Sequence, residues 1–135
     1  MAVSNVVTLP RDSPKFESIL VPTDGSALSM AAALKAVEFA QRLQARIVAF
    51  NSIPVYQYPV YVGGIPFEYP SEADYETQCR AVAERYLGLV VDAAARQGVP
   101  VETRIEFNGN TAQAIVELAQ REHCSMIFMG SHGRG

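Results

Sequence analysis

Apolar residues fall along this chain in short continuous runs that alternate with helical stripes. Ser18-Ile19-Leu20-Val21 reads as a buried strand over 18–21, stopped by Pro22, and Asp24-Gly25-Ser26 behind it supplies turn and helix-capping chemistry. Ala33, Ala36, Val37, Ala40 and Leu43 then recur at helical spacing, with Lys35, Glu38 and Arg42 on the opposite face. Ile47-Val48-Ala49-Phe50 makes a second strand over 47–50, ended by Asn51, Ser52 and Pro54. A second helix is predicted from Tyr75, Cys79, Val82, Tyr86, Leu89 and Ala93, whose spacing keeps one face apolar, and Gly98 with Pro100 closes it. In the stretch 101–107, Val101, Thr103, Ile105 and Phe107 alternate with Glu102, Arg104 and Glu106, so one face of this strand meets water. A third helix opens at Asn110, whose side chain caps it while Gln113 reaches back, and its buried stripe is Ala112, Ile115, Val116 and Ala119. Met126-Ile127-Phe128-Met129 is a fourth strand, apolar throughout.

The order β-α-β-α-β-α-β with right-handed crossovers builds an open parallel sheet with helices on both faces, a Rossmann-like α/β fold. Strands buried on both faces read as continuous apolar runs, which places those at 18–21, 47–50 and 126–129 inside the sheet and the alternating one at its edge. The implied strand order is 3-2-1-4.

Composition narrows the class. The 135 residues are 49% hydrophobic and 19% charged, which excludes disordered and fibrous chains. A net charge of −3 with scattered basic residues offers no electrostatic reason to bind nucleic acid or an anionic membrane. No run approaches the ~20 apolar residues of a membrane span. Residues 1–15 lack the apolar core of a signal peptide and read as a flexible arm, so the expected location is the cytoplasm. Cys79 and Cys124 are too few for a disulfide framework and read as buried thiols. The stretch 54–70 holds four of the eight prolines, four of the six tyrosines and Gly63-Gly64. It is too rigid for a helix and reads as an excursion that closes over a ligand, meets a subunit, or packs its aromatics on nearby helices.

In an open parallel sheet a ligand sits beyond the carboxyl ends of the strands, where the strand order reverses. With the order 3-2-1-4, that point brings together Pro22-Thr23-Asp24-Gly25-Ser26 and Gly130-Ser131-His132-Gly133-Arg134-Gly135. The glycines let backbone N–H groups approach a phosphate, and Arg134 adds a cation. Asp24 can accept from a ribose hydroxyl or an adenine amino group or help hold a metal; as a helix N-cap it needs no ligand at all.

Ile19-Leu20-Val21-Pro22-Thr23-Asp24-Gly25-Ser26 together with Ile127-Phe128-Met129-Gly130-Ser131-His132-Gly133-Arg134-Gly135 resembles the universal stress protein family, and the likeness runs from Phe16 to Gly135. The resemblance implies an adenine-nucleotide binding domain, with ATP and Mg²⁺ as ligand. Its binding members carry G-x-x-G, nine residues, then G-[ST]; Gly130 and Gly133 match the first half. By resemblance, Pro22, Thr23 and Asp24 meet adenine and ribose, Ser52 stands at the adenine-contacting end of strand two, and Met129, Gly130 and Gly133 line the ribose and triphosphate side. Ser131, His132 and Arg134 share that loop. Asn51-Ser52 replaces the more usual His-Val pair. The resemblance also implies a homodimer and a further helix and fifth strand, giving the order 3-2-1-4-5, so residues 16–135 read as one domain ending before those elements. No catalytic residue is assigned: Asp24 is the only carboxylate in the two loops, which points to a regulatory nucleotide binder with at most slow hydrolysis. The alternative is a dimeric interaction module that works without nucleotide.

Overall fold

Apolar segments pair in parallel and amphipathic ones cover them in a computed structural model that describes residues 17–58 and 70–130. The elements are β1 (Ser18–Pro22), α1 (Ala27–Leu43), β2 (Arg46–Pro54), α2 (Glu72–Gln97), β3 (Val101–Asn108), α3 (Thr111–Arg121) and β4 (Met126–Ile127). The sheet runs β3-β2-β1-β4, the predicted order, with Ile19 of β1 opposite Ile47 on one side and Met126 on the other. Successive β1 side chains point to opposite faces. Ile19 and Val21 join Ile47 and Ala49 beneath α1 and α2. Leu20, Val48 and Phe50 pack beneath Ile115 and Leu118 of α3 on the other face.

The helix ends follow local chemistry. Ser26, Ser71 and Asn110 cap α1, α2 and α3 by accepting the N–H groups of Ser29, Asp74 and Gln113. Gln113 does not reach back; its amide donates forward to Glu117 one turn on, at 2.9 Å. Gly98 ends α2 in the left-handed conformation, φ 73°.

Several expected positions shift. On α2 the buried face is Ala83, Leu87, Val90, Ala93 and Ala94, with Leu89 52% exposed. The large side chains suggested a face rotated from the true one, because close packing on α1 and the sheet selects the alanines. On α3, Leu118 is buried in place of Val116, which is exposed along with Ala112. The fourth strand pairs over only two residues and lies at the sheet edge among the described residues; Ile127 and Met129 are exposed there. Neither cysteine is fully buried, and burial pushes the Cys124 thiol up from its ordinary value. The arm at residues 1–15 and the core of the excursion, residues 59–69, lie outside the described residues. At the excursion's base, Tyr56 and Tyr58 donate to the Pro70 carbonyl and the Glu72 carboxylate, and Tyr75 donates to the Pro54 carbonyl.

At the amino ends of the strands, Arg104 makes a two-pronged bond to the Glu122 carboxylate just past α3, at 3.0 and 3.2 Å, and also reaches Glu102. Arg46 reaches the same Glu102 at 2.9 Å. This cluster ties α3 to β2 and β3.

At the carboxyl ends, β2 runs four residues past the predicted stop at Phe50. Asn51 stays in the strand because its buried amide donates to the Thr23 carbonyl at 2.9 Å, while the Thr23 N–H donates to the Phe50 carbonyl at 2.8 Å. The chain leaving β1 is thus held to β2 by two bonds. Gly25 follows at φ 83° with the Tyr86 ring of α2 packed on it, so a Cβ there would overlap the ring.

Two outcomes are expected in urea unfolding. Asn51→Ala leaves the Thr23 carbonyl unpartnered in a buried setting and costs about 1–3 kcal/mol; a change within error would show that the latch carries no stability. Gly25→Ala costs about 1–3 kcal/mol through its left-handed backbone alone, more with the overlap. Combined with Tyr86→Ala, the loss is smaller than the sum of the two singles, since removing the ring relieves the overlap.

Candidate functional site

The strand order reverses at β1, whose neighbours β2 and β4 lie on opposite sides, and beyond the carboxyl ends of these strands a cleft of about 190 Å³ opens. It gathers Pro22, Thr23, Asp24, Ser52, Met129 and Gly130, six of the residues expected there. Ser131, His132, Gly133 and Arg134 lie outside the described residues. The sequence reading passed over Leu28, Ser29, Phe50, Thr111 and Ile115, which also line the cleft. Ser26 lines it too, as expected for the last residue of the loop Pro22-Thr23-Asp24-Gly25-Ser26. Thr111 carried a local signal, since it follows a capping asparagine directly.

One wall is the loop between β1 and α1, knit by hydroxyls. Thr23 is buried, with its hydroxyl 2.9 Å from that of Ser29 and accepting from the Gly25 N–H. Asp24 is exposed and is not the N-cap of α1; that position is taken by Ser26. Asp24 Oδ1 instead accepts the Ser26 N–H at 2.9 Å, a turn that aims the carboxylate at the cleft mouth. Hydrogen bonds from the Ser26 side chain, then from the Ser26 backbone, hold this carboxyl below its ordinary value, so it is a full anion at neutral pH.

The opposite wall joins β2 to the start of α3. Ser52 Oγ lies 3.2 Å from Thr111 Oγ1 and accepts from Asn108 Nδ2 at 2.6 Å. The third side is the end of β4. A Cβ on Gly130 would lie 3.0 Å from Leu28 Cγ and 3.1 Å from the Leu28 carbonyl oxygen, so close approach to α1, not backbone conformation, calls for glycine there. Phe50, Ile115 and Leu28 give the cleft apolar surface between these polar walls. The cleft thus sets apolar surface between two polar walls.

A second hollow of about 420 Å³ lies between β2 and α2, shares Asp24 and Ser52 with the first, and is lined by Ile53, Val82 and Tyr86. Among the described residues no three of His, Cys, Asp and Glu come together as a metal site. No helix among them is long and apolar enough to cross a membrane.

Comparison with known proteins agrees with this architecture. The chain is 32% identical over 121 residues to a universal stress protein of Thermus aquaticus, covering 89% of this chain and 80% of that one. A universal stress protein of Methanocaldococcus jannaschii is 30% identical over 122 residues, and there the chain spans 66% of the relative's length while 88% of it is matched. Among solved structures, a family protein from Burkholderia pseudomallei superposes with a TM-score of 0.73 at 25% identity, over 87% of this chain and 83% of that one. Two more distant structures share the fold: a universal stress protein in complex with cAMP, and an Arabidopsis thaliana family protein with AMP bound. They give TM-scores of 0.59 and 0.64 at 22% and 16% identity, over 84% and 88% of this chain and 72% and 79% of theirs. The sequence model of the universal stress protein family matches residues 15–135, and the chain belongs to that family.

Proposed function

We propose that the cleft binds an adenine nucleotide, ATP with Mg²⁺ being the form expected, and that the protein works as a stress-response regulator that reads nucleotide without rapid turnover. The observation that carries this is the convergence of the Asp24 loop, Ser52 and the close-packed Gly130 on one cleft at the strand-order reversal. That relatives of the same fold hold cAMP and AMP supports the ligand class. A cleft of about 190 Å³ is smaller than the ~300 Å³ of common ligand pockets, so it receives the nucleoside and leaves the phosphates to pass Gly130. Asp24 would accept from the ribose hydroxyls. Mg²⁺ keeps several waters and takes one or two carboxylates besides phosphate oxygens, and Asp24 is the carboxylate of the cleft. Among the described lining residues Asp24 is the one acid or base, which supports slow hydrolysis. A homodimer in the cytoplasm belongs to the same reading.

Calorimetry of the chain with ATP, AMP and cAMP, with and without Mg²⁺, is expected to show saturable binding. No heat at millimolar nucleotide, with a dimer persisting regardless, would favour the nucleotide-independent interaction module. Asp24→Ala is expected to weaken binding about tenfold, the effect of losing a hydrogen bond to a charged group.

The pH dependence has a definite sign. A carboxyl held below its ordinary 3.8 stays ionised above that value and loses its charge only as the pH falls through the lowered one. The affinity gap between wild type and Asp24→Asn should therefore be flat from pH 8 to about 5 and close only below about 4. A gap that closes near neutrality would remove Asp24 from the assigned role.

A further inference from the structure

The wall formed by β2 and α3 contains a chain of polar side chains whose proton count follows from the backbone. The Asn110 N–H donates to Asn108 Oδ1 at 3.0 Å, and since a backbone N–H only donates, the amide nitrogen of Asn108 must face Ser52. That nitrogen donates to Ser52 Oγ at 2.6 Å and occupies one of its lone pairs. Ser52 Oγ and Thr111 Oγ1, 3.2 Å apart, share one hydrogen bond, and either can be its donor. Two hydroxyl protons and one shared bond leave one proton over, whichever way that bond runs. Both residues line the cleft, so the surplus proton is offered to whatever lies there.

The position of the pair tells which part of a nucleotide it meets. From β2 to β4 the cleft crosses two strand spacings, roughly 10 Å. If the phosphates pass Gly130 at the β4 end, the base lies at the β2 end, beside Ser52 and Thr111. Of the polar atoms of adenine, the ring nitrogens accept and the exocyclic amine donates. The surplus proton pairs with a ring nitrogen, and the lone pairs left free on the two hydroxyls can accept the exocyclic amine beside it.

We propose that the Ser52–Thr111 pair, oriented by Asn108, donates a hydrogen bond to a ring nitrogen of the bound base. This rests on the nucleotide reading above and adds to it a side-chain contact to the base, with Asn108 as a positioning residue.

The test compares ATP with 1-deaza-, 3-deaza- and 7-deaza-ATP, each lacking one acceptor nitrogen, by calorimetry on the whole chain. One analogue is expected to bind about 3- to 10-fold more weakly than ATP to wild type, the effect of one neutral hydrogen bond. Asn108→Asp keeps the shape and still accepts the Asn110 N–H, but it takes a proton from the hydroxyl pair, so no surplus proton remains. The ratio between that analogue and ATP should then fall to about one, as it should in the Ser52→Ala/Thr111→Val double variant. The ratio is indifferent to the added charge and to any general loosening of the cleft, which would weaken both ligands together. Equal binding of all three analogues and ATP to wild type, or a penalty that survives in both variants, overturns the inference alone. Absence of ATP binding overturns the nucleotide reading and this inference with it.

Discussion

Strand β1 has a hydrogen-bonded neighbour on each edge and a layer of helix on each face, and the rest of the structure is arranged around that enclosure. Ile19, Leu20 and Val21 are fully buried, each side chain contributing about 1.5–3 kcal/mol of transfer free energy. A strand so enclosed cannot leave its peptide groups unpaired where it ends. The bonds of Thr23 to Phe50 and Asn51 meet that requirement just beyond β1. Asp24 is the first exposed residue past the strand, so the mouth of the cleft is set by where the enclosure stops.

The two polar walls differ in character. The Asp24 side is an acceptor held in place by the serine-rich turn and by the Tyr86 ring behind Gly25, which links the loop to α2, on the same face of the sheet as α1. The Ser52 side is assembled from three separate parts of the chain, the end of β2, the end of β3 and the first residue of α3. Its geometry depends on β2 and β3 staying in register, with Ser52 opposite Glu106 and Pro54 opposite Asn108.

How much of this was legible in the sequence depended on whether the deciding partner lay nearby. Continuous apolar runs located β1 and β2, and the alternation of Val101 to Phe107 put β3 at an edge, so the strand order followed. The site loop after β1 was visible because its turn and cap residues are consecutive. Asn51 looked like a strand terminator because the carbonyl that satisfies its amide is 28 residues away. Thr111 went unnoticed for the same reason, meeting Ser52 across 59 residues. On α2 the misreading has another origin: alanine is a weak hydrophobic signal, yet its small size is what close helix packing requires.

The cluster of Arg46, Glu102, Arg104 and Glu122 sits at the opposite end of the sheet from the cleft. Partly exposed ion pairs weaken as ionic strength rises and become more favourable at high temperature, whereas the hydroxyl and amide bonds around the cleft carry little such dependence. Adaptation to a hot or saline habitat can therefore be written into residues at the amino ends of the strands while the cleft at the carboxyl ends stays unaltered. The fold separates the chemistry that sets its tolerance of surroundings from the chemistry that shapes its cleft.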